Sequence, residues 1–241
     1  CNSRIKFGLF FDHIDHSYDK VATGHYAKVI ADNGIYKLVS APDAVKDQTY
    51  FLSHLTQDQL GRALFPLGDL TKEQVRAQAL EYNLPTKDRK DSQGICFLGK
   101  LKFREFVKYY LGEKPGDMIE IETGKKQGTH NGYWFYTIGQ RQGLGLAGGP
   151  WYVVAKDVGR NIVYISRNYY SSEKPRNSFI VDQCNWIGNA PSEVQSIKVK
   201  LRHGPHKVAC KLTQLKNNGY QVELKDRDQG IAPGQFAVFY N

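Results

Sequence analysis

Thiols are the groups in this chain best suited to making and breaking covalent bonds, and there are four: Cys1, Cys96, Cys184 and Cys210. They are too few and too scattered for a disulfide scaffold. No two stand at Cys-x-x-Cys spacing, which argues against a structural zinc site. Cys184 neighbours Val181 and Trp186, and Cys210 alternates in register with Val208 and Leu212, so both read as core cysteines. Cys96 differs. It lies in "KDSQGICFLG", residues 90–99, where Arg89, Lys90 and Lys100 surround it with positive charge and two glycines loosen the backbone. Nearby cations raise the thiolate fraction of a thiol whose ordinary pKa is about 8.5. On local context alone a reactive Cys96 and an inert one remain equally open, and Cys1 cannot be interpreted by its neighbours.

Two other patterns invite chemistry and do not sustain it. "GLGLAG", residues 143–148, matches G-x-G-x-x-G, but Gly149, Pro150 and a strand-like run follow where a dinucleotide site needs a helix. It reads as a loop. The pairs His13/His16 and His203/His206 lack a nearby cysteine or a glutamate at metalloprotease spacing, so they read as surface or capping histidines.

The elements that must position these groups change character along the chain. "KVATGHYAKVIADNGIYKLVSA" predicts a strand, a glycine break and a hairpin about Asp32, Asn33 and Gly34. Thr56 with Gln59, and Thr71 with Gln74, have capping-box spacing, so two helices follow. The second is expected to run towards Pro85, because proline disfavours helix in the residue before it. Phe103, Phe106, Val107, Tyr110 and Leu111 fall on one face of a third helix, stopped by Gly112. Cys96 therefore sits in the loop feeding that helix, a common place for catalytic residues. Beyond Gly112, "YWFYTIG", "WYVVAKD" and "NIVYISR" read as strands, and "YYSSEKPRNS" as a boundary. The remainder reads as all-β, with a hairpin about residues 217–219 and a small barrel as the expected result. In "IKVKLRH", alternation predicts that Lys198, Lys200 and Arg202 share one exposed face.

At 241 residues the chain is long enough for two or three domains. No apolar run approaches a membrane span, and "CNSRIKFGLFFDH" lacks the features of a signal peptide. A first residue other than methionine predicts a fragment or processed product, and the cysteine usage predicts a reducing, cytoplasmic setting. The net charge of +9 is unevenly spread: residues 1–101 carry 13 Lys+Arg against 12 Asp+Glu, and residues 102–241 carry 20 against 12. That surplus suits a polyanionic partner, or simply a solvated basic surface.

Eight segments in order carry a resemblance: "CNSRIKFG", "ATGHYAKV", "KDQTYFLSHL", "FPLGDLTKEQVR", "KDSQGICFLG", "YTIGQRQGLG", "WYVVAKD" and "APGQFAVFY". Together they resemble the tRNA-specific 2-thiouridylase family, enzymes that place sulfur on uridine 34 of certain tRNAs. The resemblance implies an α/β nucleotide-binding domain of the ATP-pyrophosphatase, Rossmann-like type over residues 1–101. It implies a mainly β central domain over 102–175 and a tRNA-contacting C-terminal β-barrel over 176–241. Cys96 matches the family cysteine that carries a persulfide, and Cys1 its partner in an alternating catalytic pair, so folding is expected to bring the two together. Gly24 in "TGHYA" resembles a nucleotide-contacting glycine. His25, Lys46, Asp47 and Gln48 resemble contacts to tRNA, as do Arg202, His203 and Gln235 on the barrel. Implied with them are ATP, accompanied by Mg2+, and a sulfur-relay protein or cysteine desulfurase that loads Cys96; the cysteine spacing and the lack of a long apolar run already predict no structural metal and no membrane.

The family's Ser-Gly-Gly-x-Asp-Ser phosphate loop lies upstream of its first catalytic cysteine and is not among these 241 residues. The chain is therefore expected to be truncated before that cysteine and inactive alone. A different class of protein, a non-catalytic RNA-binding fragment, uses the basic central and barrel segments only. A cysteine hydrolase pairing Cys96 with His25 is a third possibility, although no hydrolase motif surrounds either residue.

Overall fold

The computed structural model describes residues 1–15, 17–89, 102–169, 176–191, 194–216, 218–228 and 231–241. By contact the chain falls into two compact units. One comprises Cys1–Lys90, Asn177–Asp228 and Gly234–Asn241; the other comprises Asp91–Arg176 and Gln229–Pro233.

The first unit opens on a π-helix, Asn2–Leu9, whose first turn closes on the Cys1 carbonyl: the Ile5 N–H donates to it at 2.9 Å and the Lys6 N–H at 3.2 Å. A short helix α1 (Phe10–His13) continues it. Strand β1 (Val21–Ala22) pairs in parallel with β4 (Ala63–Leu64), while β2 (Ala27–Asp32) and β3 (Ile35–Ser40) form the expected hairpin. Its turn residues Asn33 and Gly34 have φ of 50° and 79°, the left-handed pair that an Asn-Gly turn supplies with little strain. Helix α2 (Thr49–Leu52) follows, then α3 (Gln57–Arg62) and α4 (Lys72–Glu81), the last two both opened by the expected capping boxes. Helix α4 stops short of Pro85. Asn83 turns left-handed at φ 45°, and the Leu84 N–H closes the end on the Ala79 carbonyl at 2.9 Å. Phe7, Phe11, Ala27, Leu52, Leu55, Leu60, Ala63 and Phe65 form the core here.

In the second unit, α5 (Phe103–Leu111) ends at Gly112, as its periodicity requires, but none of its residues is buried. Strands β5 (Gly116–Glu120), β6 (Lys126–His130), β7 (Tyr152–Asp157) and β8 (Ile162–Ser166) form one sheet in the order β6-β5-β8-β7, with β5 and β8 parallel. The aromatic run of residues 133–135, expected as a strand, is a 3-10 turn. Gly132 at φ 138° and a bond from its N–H to the His130 ring at 3.0 Å bend the chain. Tyr133 and Phe135 then pack on Met118, Tyr136, Trp151, Val153, Val163 and Ile165. Packing wins over strand propensity.

The C-terminal part of the first unit is all-β, as expected. Strands β9 (Ser178–Val181), β10 (Val194–Lys200), β11 (Val208–Gln214), β12 (Tyr220–Leu224) and β13 (Val238–Tyr240) form an antiparallel sheet in the order β13-β10-β11-β12-β9. Val199, Leu201, Cys210, Leu212, Val222 and Leu224 are buried. One expectation for β10 fails. Lys198 and Arg202 are exposed, but Lys200 between them is 2% exposed. Its face of the strand is covered at that point by the loop carrying Asp47, whose carboxylate it meets at 3.0 Å.

Candidate functional site

The loop containing residues 46–48 is built by two aspartates. Asp43 accepts from the N–H groups of Val45 and Lys46, each at 3.1 Å, and of Lys72 at 3.2 Å. Burial opposes its ionised form, yet these donors hold its carboxyl below the ordinary carboxylate range. Asp47, 1% exposed, accepts from the Ala41 and Thr49 N–H groups, from the Thr49 hydroxyl at 2.9 Å and from the Lys200 ammonium. Thr49 Oγ1 in turn lies 3.1 Å from the Tyr240 hydroxyl, and burial pushes that phenol up to about 12. Burial of the two charges is offset by their pairing, by the further donors to Asp47, and by the Tyr240 ring, whose centroid lies 5.5 Å from the Lys200 ammonium.

Helix α2 docks the same loop onto the segments that follow β10 and precede β13. The Tyr50 hydroxyl lies within donating distance of two carbonyls, Leu201 at 3.3 Å and Phe236 at 3.2 Å. Phe51 faces the His203 ring at 4.8 Å between centroids, and His54 meets Phe236 edge-on at 4.5 Å. Below, Asn185 Nδ2 donates to the Ser53 and Leu55 carbonyls. Burial, then the positive charge of Lys200, hold His203 below its ordinary pKa.

On the other side of the loop, Gln48 and Tyr26 exchange two bonds: the Tyr26 N–H donates to Gln48 Oε1 at 3.0 Å and the Gln48 N–H to the Tyr26 carbonyl at 2.9 Å. This fixes the stretch that carries Gly24 and His25. Gly24 is exposed, and a Cβ there would meet only Leu67 at 3.8 Å, so its face is open to a ligand. His25 is 7% exposed, lies between the rings of Phe7 and Phe65, and has Nδ1 2.8 Å from the Thr23 hydroxyl. Burial, with help from Lys6, lowers its pKa to about 4. Phe7 belongs to the π-helix that begins at Cys1, and Asn2 Nδ2 donates to the Phe51 carbonyl at 2.9 Å.

The structure therefore joins most residues singled out from the sequence into one continuous region. Gly24 and His25 lead through Gln48 to Asp47, and from Lys200 to Arg202, His203 and, beside Phe236, Gln235. Asp47 and His25 are buried within that region and not presented on its surface. Cys1 is exposed at its margin. Cys96 lies outside the described residues, and with it the expected contact to Cys1. Cys210 is a core thiol, which burial pushes up to about 11; Cys184, expected in the core, is only half-buried, and burial and Asp182 raise its pKa. Sequence reasoning placed Lys200 on an exposed face and missed Tyr50, Phe51, His54 and Phe236. Only the adjacency of Phe236 to Gln235 and of Phe51 to "KDQ" pointed to them. Among the described residues, no group of three or more His, Cys, Asp or Glu could hold a metal ion, and no helix is long and apolar enough to cross a membrane.

Three family models match successive stretches of the chain. They are described as a tRNA methyl transferase HUP domain over residues 1–100, a tRNA methyl transferase PRC-barrel domain over 104–167 and an aminomethyltransferase beta-barrel domain over 176–241. An α/β domain followed by a mainly β domain and a C-terminal β-barrel is thus the fold class, as the sequence implied. A tRNA-specific 2-thiouridylase of Bacteroides fragilis is 46% identical over 245 residues, spanning 100% of this chain and 69% of that protein. One from Bacteroides thetaiotaomicron is similar to the same extent, and one from Parabacteroides distasonis is 45% identical over 100% of this chain and 68% of its own. The chain belongs to the tRNA-specific 2-thiouridylase family.

Proposed function

We propose that this protein transfers sulfur to C2 of uridine 34 in tRNA, forming 2-thiouridine. The observation that carries the proposal is identity at 46% along the whole chain with relatives named for that activity. In this scheme ATP, with its Mg2+, supplies the activation that makes the C2 oxygen a leaving group. Gly24, exposed and sterically open, is the residue of this chain we assign to nucleotide contact. Cys96 carries the outer sulfur as a persulfide, which attacks C2 as the activated oxygen departs with AMP. Cys1 thiolate then attacks the Cys96 sulfur of the remaining S–S bond. That leaves sulfur on the base and a Cys1–Cys96 disulfide, which two electrons from a thiol reductant reopen. A cysteine desulfurase or sulfur-relay protein reloads Cys96.

Contact with tRNA falls to Lys46, Arg202, His203 and Gln235. Gln48, Asp47 and His25 hold those groups in place, since the last two are buried. The division into segments 1–101, 102–175 and 176–241 and a cytoplasmic location belong to the same proposal. The test is nucleoside mass spectrometry of a tRNA transcript incubated with the full-length protein, ATP and a persulfide donor. Cys96→Ser and Cys1→Ser are expected to abolish 2-thiouridine while tRNA binding persists. Undiminished thiolation by Cys96→Ser would overturn the chemistry; binding without thiolation by the unaltered protein would leave an RNA-binding module.

A further inference from the structure

Exposed aromatic rings that cluster, unlike those scattered singly, mark surfaces that bind something. Phe51 is 48% exposed and Phe236 57% exposed, and both lie in the region just described. Each already has one histidine ring against it, His203 on Phe51 and His54 on Phe236. Both rings are held by backbone fixed from elsewhere. The Phe51 carbonyl accepts from Asn2, next to Cys1, and the Phe236 carbonyl is within reach of the Tyr50 hydroxyl. Arg202, exposed beside His203, adds positive charge, with an oxygen of Asp228 3.9 Å from its guanidinium.

Fixed, half-exposed aromatic faces interleaved with cations match one ligand chemistry well: unpaired nucleobases on a phosphate backbone. Rings accept the bases by stacking, and cations follow the phosphates. We infer that Phe51 with His203, and Phe236 with His54, form a stacking platform for unpaired bases of the RNA loop beside Cys1. This rests on the proposed tRNA substrate and adds to it how the loop is held open. A paired stem offers no free base faces, so the platform selects single-stranded nucleotides.

The experiment measures binding of a hairpin RNA with an unpaired uridine-containing loop, and of a fully paired duplex, across a series of salt concentrations. Phe51→Leu and Phe236→Leu keep apolar bulk and lose the π face. Each is expected to weaken hairpin binding about 5- to 150-fold, the range for one lost stack, without changing duplex binding. The slope of log K against log salt stays unchanged, because no charge is removed, whereas Arg202→Gln reduces it by about 1. Phe51→Tyr restores hairpin affinity. Phe51→Trp gives an independent readout, since a stacked base quenches its emission; an unquenched signal at saturating RNA overturns the inference. Wild-type hairpin affinity in both Leu variants, with Arg202→Gln weakened, removes the platform and leaves the tRNA substrate standing. If none of the three weakens binding, the substrate proposal falls as well. Leu variants that bind RNA normally but no longer accept sulfur from the donor protein would make the patch a protein-docking surface, and the inference would fail.

Discussion

His25 is a residue whose surroundings decide its charge. Enclosed by Phe7 and Phe65 and bonded to Thr23, it has a folded pKa of about 4 against an ordinary 6.5. The unfolded chain therefore binds more protons between those values, and stability rises with pH across that window. Its contribution is complete above about pH 6.5 and is lost as pH falls towards 4, by at most about 3 kcal/mol. Urea midpoints at pH 7.5 and 4.5 are expected to separate less in His25→Gln than in the unaltered protein; equal separations would show that His25 is not the group responsible. The thiols offer a companion test. Cys210 is buried and held largely protonated, whereas Cys1 is exposed. Peptide mass spectrometry after brief native alkylation is expected to find Cys1 modified and Cys210 intact. Modification of Cys210 at a comparable rate would mean that the β10–β11 region opens readily.

Elements here are positioned by contacts of very different range, and range decided what the sequence disclosed. The capping boxes at Thr56 and Thr71 and the Asn33–Gly34 turn are made within a few residues, so spacing and residue type were sufficient to find them. Lys200 was misjudged because strand parity groups it with Lys198 and Arg202, while its partner Asp47 stands 153 positions away. The run at 133–135 was misjudged because its aromatics suit a strand, but Gly132 and His130 bend it into a turn. Of the candidate site, the polar members were legible through family motifs. Phe51 and Phe236 were not, because an aromatic beside an apolar run reads equally well as core. Two element-scale predictions follow from these contacts. Lys200→Met leaves the Asp47 carboxylate buried without its cation and is expected to cost about 3–5 kcal/mol in urea unfolding. Adding Asp47→Asn should recover much of that, and additive losses would show that the pair is not coupled. In the π-helix, a Cβ at Gly8 would meet the Ser3 carbonyl oxygen at 2.7 Å. Gly8→Ala is expected to destabilise by roughly 1–3 kcal/mol and to lower thiolation further by displacing Cys1; unchanged activity and melting temperature would show that the turn adapts freely.

For the whole chain, charge is the property that acts beyond single contacts. The surplus of Lys and Arg in residues 102–241 is expected to make tRNA affinity fall steeply and linearly in log salt. Fluorescence anisotropy at several salt concentrations measures that slope, and a flat line would exclude phosphate contacts as a main source of affinity. The buried pair of Asp47 and Lys200 also bears on how the molecule comes into being. A ribosome delivers Asp47 well before Lys200, and at ~5–20 residues per second 153 positions take on the order of ten to thirty seconds. Throughout that interval the carboxylate lacks the ammonium that accompanies its burial in the finished fold, and burying it would leave its charge unpaired. The N-terminal segment therefore cannot bury Asp47 as the finished fold does until β10, which carries Lys200, has been made.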